Sequence, residues 1–192
     1  MSKIILASKS PRRKEILQQV GFDFDVVVSD KEEVIKTDVP SEVVQELSKQ
    51  KAEDVQSMIE NELDYIIIAA DTVVAVDGKI LGKPKDRQDA YNMIKSIAGR
   101  SHSVYTGVTL ISNNKDENNI KIKTFYEETV VDVYDMSSED INHYLDFNQW
   151  NDKAGGYGIQ GSFAAYVKAI KGDYYTVVGL PISRIIYEMK KM

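Results

Sequence analysis

Short apolar runs alternate with amphipathic stretches along this chain, and the alternation predicts a mixture of strands and helices. Residues 4–7 form an apolar run, and Ser10 and Pro11 follow it as a capping residue and a first-turn proline. Apolar residues at helical spacing then continue to Gly21, where the helix is expected to end. The pattern predicts a strand, a tight turn and a helix at the start of the chain.

The rest of the pattern continues in the same way. Apolar runs and alternating stretches predict strands at residues 22–28, 65–70, 73–76, 79–81, 103–111 and 120–133. Helical spacing predicts helices at residues 40 to about 60, 86–98, 137 or 138 to about 147, and from 181 onwards. Hairpins are expected at Asp77-Gly78 and near residues 171–173. The whole pattern is typical of an α/β protein with a mixed sheet.

Composition limits the chemistry available to the protein. The absence of cysteine excludes disulfides, thiolate catalysis and cysteine-bound zinc, so any metal is expected to be bound by oxygen. The formal net charge of -6 argues against a nucleic-acid polymer as partner, although a small phosphate ligand needs only a few cations in one cleft. No apolar segment reaches about 20 residues and the start lacks a leader pattern, so a cytoplasmic location without membrane contact is expected.

The first candidate site is the turn between the first strand and the first helix. Its polar side chains are Ser8, Ser10, Arg12 and Arg13. The amide groups and dipole of a helix start favour an anion, so hydroxyls and guanidiniums at that place can bind a triphosphate. The alternative interpretation is a capped helix with solvated arginines.

The second candidate is Asp71, which directly follows the predicted buried strand. Open α/β sheets bind ligands at such strand ends, where a carboxylate can hold a divalent ion or accept a proton. The alternative is an aspartate that only turns the chain. Lys83 stands between glycine and proline and can direct its ammonium at a phosphate, whereas Lys51 late in a helix can equally be a solvated residue.

The third candidate is the glycine-rich segment 154–161, which contains Gln160. A backbone rich in glycine can approach a flat ligand closely, and an amide side chain both donates and accepts hydrogen bonds, as the edge of a nucleobase requires. The glycine content argues against regular structure in this segment. His102 and His143 lack partners at metal-ligand spacing and are interpreted as structural or surface residues.

Taken together, these segments resemble the Maf family of nucleotide pyrophosphatases. The matching stretches stand in family order: Leu6-Ala7-Ser8-Lys9-Ser10-Pro11-Arg12-Arg13, Lys51-Ala52, Ala70-Asp71-Thr72-Val73-Val74, Gly82-Lys83-Pro84, Thr106-Gly107-Val108, residues 154–161 and Val178-Gly179-Leu180-Pro181. The resemblance implies a single domain over residues 1–192, with the elongated, two-lobed α/β fold of inosine-triphosphate pyrophosphatases and a central cleft. It also suggests a homodimer.

The resemblance further implies metal-dependent hydrolysis between the α and β phosphates, with Mg²⁺ or Mn²⁺ as cofactor. By this resemblance, Asp71 has the role of the catalytic carboxylate, and Asp71 and Glu33 together form the metal site. Glu32 is the alternative to Glu33, because the preceding loop varies in length in the family. The polar positions of the cleft match Ser8, Arg13, Lys51 and Lys83. Since catalysis of this reaction is mostly positioning and charge stabilisation, pyrophosphate is expected to be held by Arg13, Lys51 and Lys83.

Three positions separate a pyrimidine subgroup of the family from one that acts on 7-methylguanosine triphosphate. Arg12, Thr72 and Gln160 resemble the pyrimidine subgroup, whereas the other subgroup carries an aromatic residue, a glutamine and a glutamate. An amide can satisfy both a pyrimidine carbonyl and its ring N–H, so dTTP and UTP are the expected substrates. The alternatives are a purine house-cleaning enzyme of the same fold and a nucleotide-binding regulator of cell division, which need not release pyrophosphate.

Overall fold

The computed structural model describes residues 2–59, 64–114 and 119–192. The helices in these ranges are α1 (Pro11–Gln19), α2 (Pro40–Ser57), α3 (Arg87–Ile97), α4 (Ser138–Asp146), α5 (Tyr174–Val178) and α6 (Ile182–Met189). The strands are β1 (Lys3–Leu6), β2 (Phe24–Val26), β3 (Tyr65–Val76), β4 (Lys79–Leu81), β5 (Ser101–Asn114), β6 (Asn119–Val133) and β7 (Val167–Lys171).

The strands form one mixed sheet with helices on its faces. The order is β2-β1-β3-β5-β6-β7, and β4 pairs with the end of β3. β1 is parallel to β2 and β3, whereas β3, β5, β6 and β7 pair antiparallel. The prediction of an α/β protein with a mixed sheet is therefore confirmed.

β3 is longer than its sequence pattern predicted. A break at Asp71 and Thr72 was expected between two short strands, and that prediction is wrong. The two residues lie opposite Gly107 and Thr106 of β5, so the antiparallel ladder continues through them without interruption. Asp71 is consequently held in the middle of a 12-residue strand instead of in a turn.

One edge of β3 has an interruption in its pairing. β1 pairs with β3 from Tyr65 to Ile68, and β4 pairs with it from Val74 to Val76. Between these stretches, no strand in the described ranges lies along that edge. The interruption opens a cleft at Asp71 and Thr72.

The hydrophobic core is divided at the same place. On one face of the sheet, Ala70 belongs to a core cluster with residues of α1 and α6, whereas Val74 belongs to a separate cluster with residues of α3 and α4. Thr72 lies between these clusters on β3, because alternate residues of a strand share a face. On the opposite face, α2 packs over Ala69 and Val73. Two lobes of a single domain around the cleft stay a prediction.

The two predicted hairpins have different outcomes. Asp77 and Gly78 connect β3 and β4 with φ values of 50° and 75°, as the favoured two-residue turn requires. The prediction of a hairpin near residues 171–173 is wrong, because the chain enters α5 there. Asp173 caps that helix by accepting hydrogen bonds from the backbone N–H and the hydroxyl of Thr176, at 2.9 and 3.1 Å.

Smaller differences concern the ends of elements. α2 ends at Ser57, and the predicted end at residue 60 lies outside the described residues, as do residues 115–118 of the predicted polar loop. Ser10 has the N-cap position of α1 without a capping hydrogen bond from its side chain. The glycine-rich segment contains a short 3₁₀ turn, Ala154–Gly156. None of the helices in the described part of the chain has the length and apolar character needed to cross a membrane.

Gly107 allows α2 to approach the sheet, and this contact can be tested. A Cβ atom at this position would lie 2.2 Å from the carbonyl oxygen of Val44 and 2.3 Å from its carbonyl carbon, both backbone atoms of α2. Gly107→Ala is therefore expected to lower the free energy of unfolding by about 1–3 kcal/mol. Urea denaturation measures this change.

Gly82→Ala is the matched control, because no heavy atom lies within 4 Å of its added Cβ and its φ is not positive. Its free energy of unfolding is expected to stay within about 0.5 kcal/mol of the parent value. Equal stability of the Gly107→Ala variant and the parent would show that α2 can move away from β5 without cost.

Candidate active site

A cleft of about 590 Å³ lies at the interruption along β3. Its walls come from the β1–α1 turn, segment 27–39, α2, β3, the residues after β4 and the glycine-rich segment. The structure brings all the site residues predicted from the sequence to this cleft, namely Ser8, Arg12, Arg13, Glu33, Lys51, Asp71, Thr72, Lys83 and Gln160. Glu32, the alternative to Glu33, is exposed and does not line it.

Lys51 joins the two acidic residues of the site. Its Nζ lies 2.5 Å from Oδ1 of Asp71 and 3.0 Å from Oε1 of Glu33. The Lys51 side chain is only 19% exposed, so water weakens these contacts less than at an open surface. The alternative of a solvated helix residue does not describe Lys51, which bridges β3 and segment 27–39.

The donor set fits a divalent ion that binds together with a nucleotide. Oδ1 of Asp71 and Oε1 of Glu33 both lie within 3.0 Å of Lys51 Nζ, so the two acidic side chains lie close together in the cleft. Mg²⁺ is usually bound by one or two carboxylates together with substrate phosphates and water. Within residues 2–59, 64–114 and 119–192, no group of three or more His or acidic side chains can hold a metal ion. Phosphate oxygens would have to complete the coordination.

Arg13 is bound mainly to protein oxygens. Its guanidinium donates to Gly179 O at 2.8 Å, Ser8 Oγ at 3.1 Å, Ala70 O at 2.8 Å and Thr72 Oγ1 at 3.2 Å. A guanidinium has five N–H donors, so these contacts leave one for a ligand. Burial lowers the pKa of Arg13, and the Asp71 carboxylate opposes this effect. Arg13 therefore shapes the cleft to a greater extent than the sequence indicated.

The hydroxyl of Thr72 has a defined orientation. Thr106 donates its only hydroxyl proton to the carbonyl of Thr176 at 2.8 Å. Thr72 must therefore donate to Thr106 across their 2.9 Å contact, while it accepts from Arg13. Its proton is consequently not available to a nucleobase in this arrangement.

Lys83 and Gln160 are the polar side chains most available to a ligand. Both are exposed and line the cleft. In the described part of the chain, neither side chain has an ion pair or hydrogen bond. The backbone N–H of Gly155 donates to the carbonyl of Gly82 at 2.9 Å, which ties the glycine-rich segment to the residues before Lys83. A phosphate contact for Lys83 and a base contact for Gln160 both agree with this geometry.

The sequence analysis did not identify Asp152 and Lys153, which also line the cleft. Asp152 lies 3.1 Å from Nη1 of Arg12 and 2.6 Å from Nζ of Lys153. Partial burial acts to raise the pKa of Asp152, but the hydrogen bonds from Lys153 and Arg12 hold it below its usual value. The available signal was the position of this charged pair directly before the glycine-rich segment.

Tyr157 connects the same segment to the core of the protein. Its hydroxyl lies 2.6 Å from Nε2 of buried His102. Burial lowers the pKa of His102 to about 4, so this histidine is neutral at pH 7. His143 is exposed on α4. The interpretation of both histidines as structural or surface residues is confirmed.

Comparison with known proteins places these observations in a family. Residues 3–192 match the family model for Maf-like proteins. The dTTP/UTP pyrophosphatase of Agathobacter rectalis is 48% identical, with all of this chain and 98% of the relative aligned. The proteins of the same name from Lachnoclostridium phytofermentans and Bacillus anthracis are 49% and 45% identical, again over 100% of this chain and over 95% and 96% of the relatives.

Among solved structures, a HAM1 protein from Coxiella burnetii overlays with a TM-score of 0.45 and 16% identity, over 69% of this chain and 73% of that one. The family match, in contrast, includes nearly the whole chain and all the motifs that line the cleft. This chain belongs to the family of Maf-like proteins.

Proposed function

We propose that this protein is a nucleoside triphosphate pyrophosphatase that hydrolyses dTTP and UTP to the monophosphate and pyrophosphate, and so removes nucleotides from the cellular pool. The observation that carries the proposal is the Asp71–Lys51–Glu33 cluster in a cleft that also holds Lys83 and Gln160. Full-length relatives named dTTP/UTP pyrophosphatase support the choice of substrates.

In this proposal, Asp71 orients and activates the attacking water. Lys51 binds Oδ1 of Asp71, which leaves Oδ2 to orient that water and accept its proton as the oxygen attacks the α-phosphorus. A divalent ion held by Asp71 and Glu33 would supply neutralisation of phosphate charge and a lower pKa for bound water. Lys51 fixes both carboxylates before the nucleotide arrives, so little rearrangement is needed during the reaction.

In this proposal, the cations of the cleft bind the leaving group, pyrophosphate. As the bond between the α and β phosphates breaks, negative charge collects on the departing pyrophosphate. Lys83 has no acidic partner among the described residues and can contribute its full charge there. Arg13 contributes its remaining N–H group and keeps the β1–α1 turn in place through its other bonds.

In this proposal, Gln160 and Arg12 recognise the nucleobase. The Gln160 amide can donate to a pyrimidine carbonyl and accept from the ring N–H beside it. Arg12 is held by Asp152 and lines the same cleft. Thr72 influences specificity indirectly, because its hydroxyl binds Arg13 and Thr106 instead of the base.

The remaining parts of the proposal rest on the resemblance and on composition. Residues 1–192 act as one domain of two lobes, which forms a homodimer in the cytoplasm and acts on a small nucleotide, not on a nucleic-acid polymer. Pyrophosphate release tests the proposal directly, with dTTP, UTP, inosine triphosphate and 7-methylguanosine triphosphate, each with Mg²⁺ or Mn²⁺. Release from none of them would favour the nucleotide-binding regulator, and release only from the purines would favour the purine enzyme.

Asp71→Asn is expected to lower kcat for dTTP by at least about 100-fold, because the amide cannot accept the proton from water. Steady-state pyrophosphate release measures kcat, and thermal melting checks that the variant folds. Asp146→Asn, at an exposed ion pair on α4, is the control and should keep the parent kcat. A folded Asp71→Asn variant with more than a tenth of parental kcat contradicts the assigned role.

Lys83→Ala is expected to reduce kcat/KM for dTTP by roughly 30-fold or more, because loss of one charged donor typically costs about 2–4 kcal/mol of transition-state stabilisation. Its melting temperature should stay unchanged, because no described side chain binds the ammonium. Lys85→Ala removes an exposed lysine two residues away, outside the cleft, and serves as the control. Equal losses in the two variants would move the pyrophosphate contact elsewhere.

Gln160→Glu is expected to lower kcat/KM for dTTP and UTP roughly tenfold or more. A carboxylate only accepts hydrogen bonds and would leave the pyrimidine carbonyl opposite it without a donor. Gln149→Glu, in the preceding loop, provides a charge control outside the cleft lining. Parental activity of Gln160→Glu on both pyrimidines would show that Gln160 does not contact the base.

A further inference from the structure

Segment 29–39, which carries Glu33, has no helix or strand. It belongs to the 13-residue connection 27–39 between β2 and α2. Connections of that length without regular structure are uncommon in compact proteins, and a catalytic ligand on such a loop needs another means of support. This segment runs along α2, where four side chains of the helix bind it.

The four side chains form a stripe on α2. Glu42, Glu46, Gln50 and Asp54 are spaced four residues apart, so they lie on one face of the helix. Each binds a different part of the segment. Glu42 accepts a hydrogen bond from Thr37 Oγ1 at 2.7 Å, and Glu46 accepts one from the backbone N–H of Lys36 at 3.4 Å. Gln50 binds the backbone of Val34, and Asp54 forms an ion pair with Lys31. The segment therefore runs antiparallel to the helix.

Gln50 makes the two central contacts. Its Oε1 accepts from the backbone N–H of Val34 at 3.0 Å, and its Nε2 donates to the backbone carbonyl of Val34 at 2.7 Å. One amide side chain thus satisfies both backbone groups of Val34, as a neighbouring strand would. Val34 directly follows Glu33, so these bonds fix the backbone beside the acidic side chain.

Asp54 anchors the start of the segment. The residue is 3% exposed and pairs with Lys31, whose side chain is mostly in solvent. Loss of the lysine would leave a buried carboxylate without its charged partner, which is costly. Lys51, the residue after Gln50, then extends from the neighbouring face of α2 to Glu33 and Asp71.

We propose that the polar stripe of α2 holds segment 29–39 in register, and that Gln50 is the positioning residue that keeps Glu33 opposite Asp71 before metal and nucleotide bind. The metal role of Glu33 rests on the proposed function. The fixed conformation of segment 29–39 is independent of that function, because it follows from contacts within the protein alone. Gln50 acts through Glu33 and does not line the cleft.

The first measurement is amide hydrogen exchange in the protein without metal or nucleotide. Gln50→Met keeps the length of the side chain and removes both bonds to Val34. The Val34 amide is expected to exchange about tenfold faster in this variant, since two hydrogen bonds of ordinary net strength are lost. Lys49→Ala is the matched control on α2, because Lys49 pairs with exposed Glu53 and has no bond to the segment among the described residues.

The second measurement is the dependence of dTTP turnover on Mg²⁺ concentration. Gln50→Met should need about tenfold more Mg²⁺ for half-maximal kcat, because loss of a residue that orients a metal ligand typically weakens metal binding by about that factor. KM for dTTP at saturating Mg²⁺ should change little. A role in folding alone would lower the melting temperature without moving the Mg²⁺ requirement. Lys49→Ala should match the parent in both measurements.

Unchanged exchange of Val34 in a folded Gln50→Met variant would overturn the proposal, because the segment would then be ordered by other contacts. Faster exchange with an unchanged Mg²⁺ requirement would also overturn it, since Glu33 would not depend on Gln50. Glu33→Gln separates this failure from failure of the proposed function. If that variant keeps parental turnover and Mg²⁺ dependence, Glu33 has no metal role, whatever the exchange experiment shows.

Discussion

The interruption of strand pairing along β3 is the constraint on which the site depends. The backbone groups at a sheet edge require partners when they are buried, and between β1 and β4 no described strand supplies them. Arg13 replaces the missing neighbour by donating to the carbonyl of Ala70, and it simultaneously binds Ser8 and Thr72. The carbonyl of Ala70 is therefore satisfied although the sheet is interrupted there.

Charge is arranged on the two sides of this interruption in a consistent way. Lys51 approaches from α2 and holds Asp71 and Glu33, whereas Lys83 follows β4 and has no acidic partner among the described residues. The acidic pair and the unpaired cation thus lie in one cleft, which is the combination that the proposed metal-bound triphosphate requires. An acidic protein with a formal net charge of -6 can bind a polyanion in this way, because the local arrangement decides the interaction.

α2 connects the architecture to the chemistry. It packs closely on β5 because Gly107 has no side chain, its polar stripe binds segment 29–39, and its Lys51 binds Asp71 and Glu33. The distance between Asp71 and Glu33 therefore depends on how one helix sits on the sheet. Displacement of α2 would move both Lys51 and the segment that carries Glu33.

Local pattern was sufficient for the order of most elements, for the Asp77-Gly78 hairpin and for the motifs that indicated the family, because these depend on near neighbours in the chain. It failed where distant partners decide. Asp71 resembles a turn residue locally, but pairing with β5 keeps it within a strand. The bonds of Arg13 could not be predicted either, because its four oxygen partners come from three separate parts of the chain that only the tertiary structure brings together.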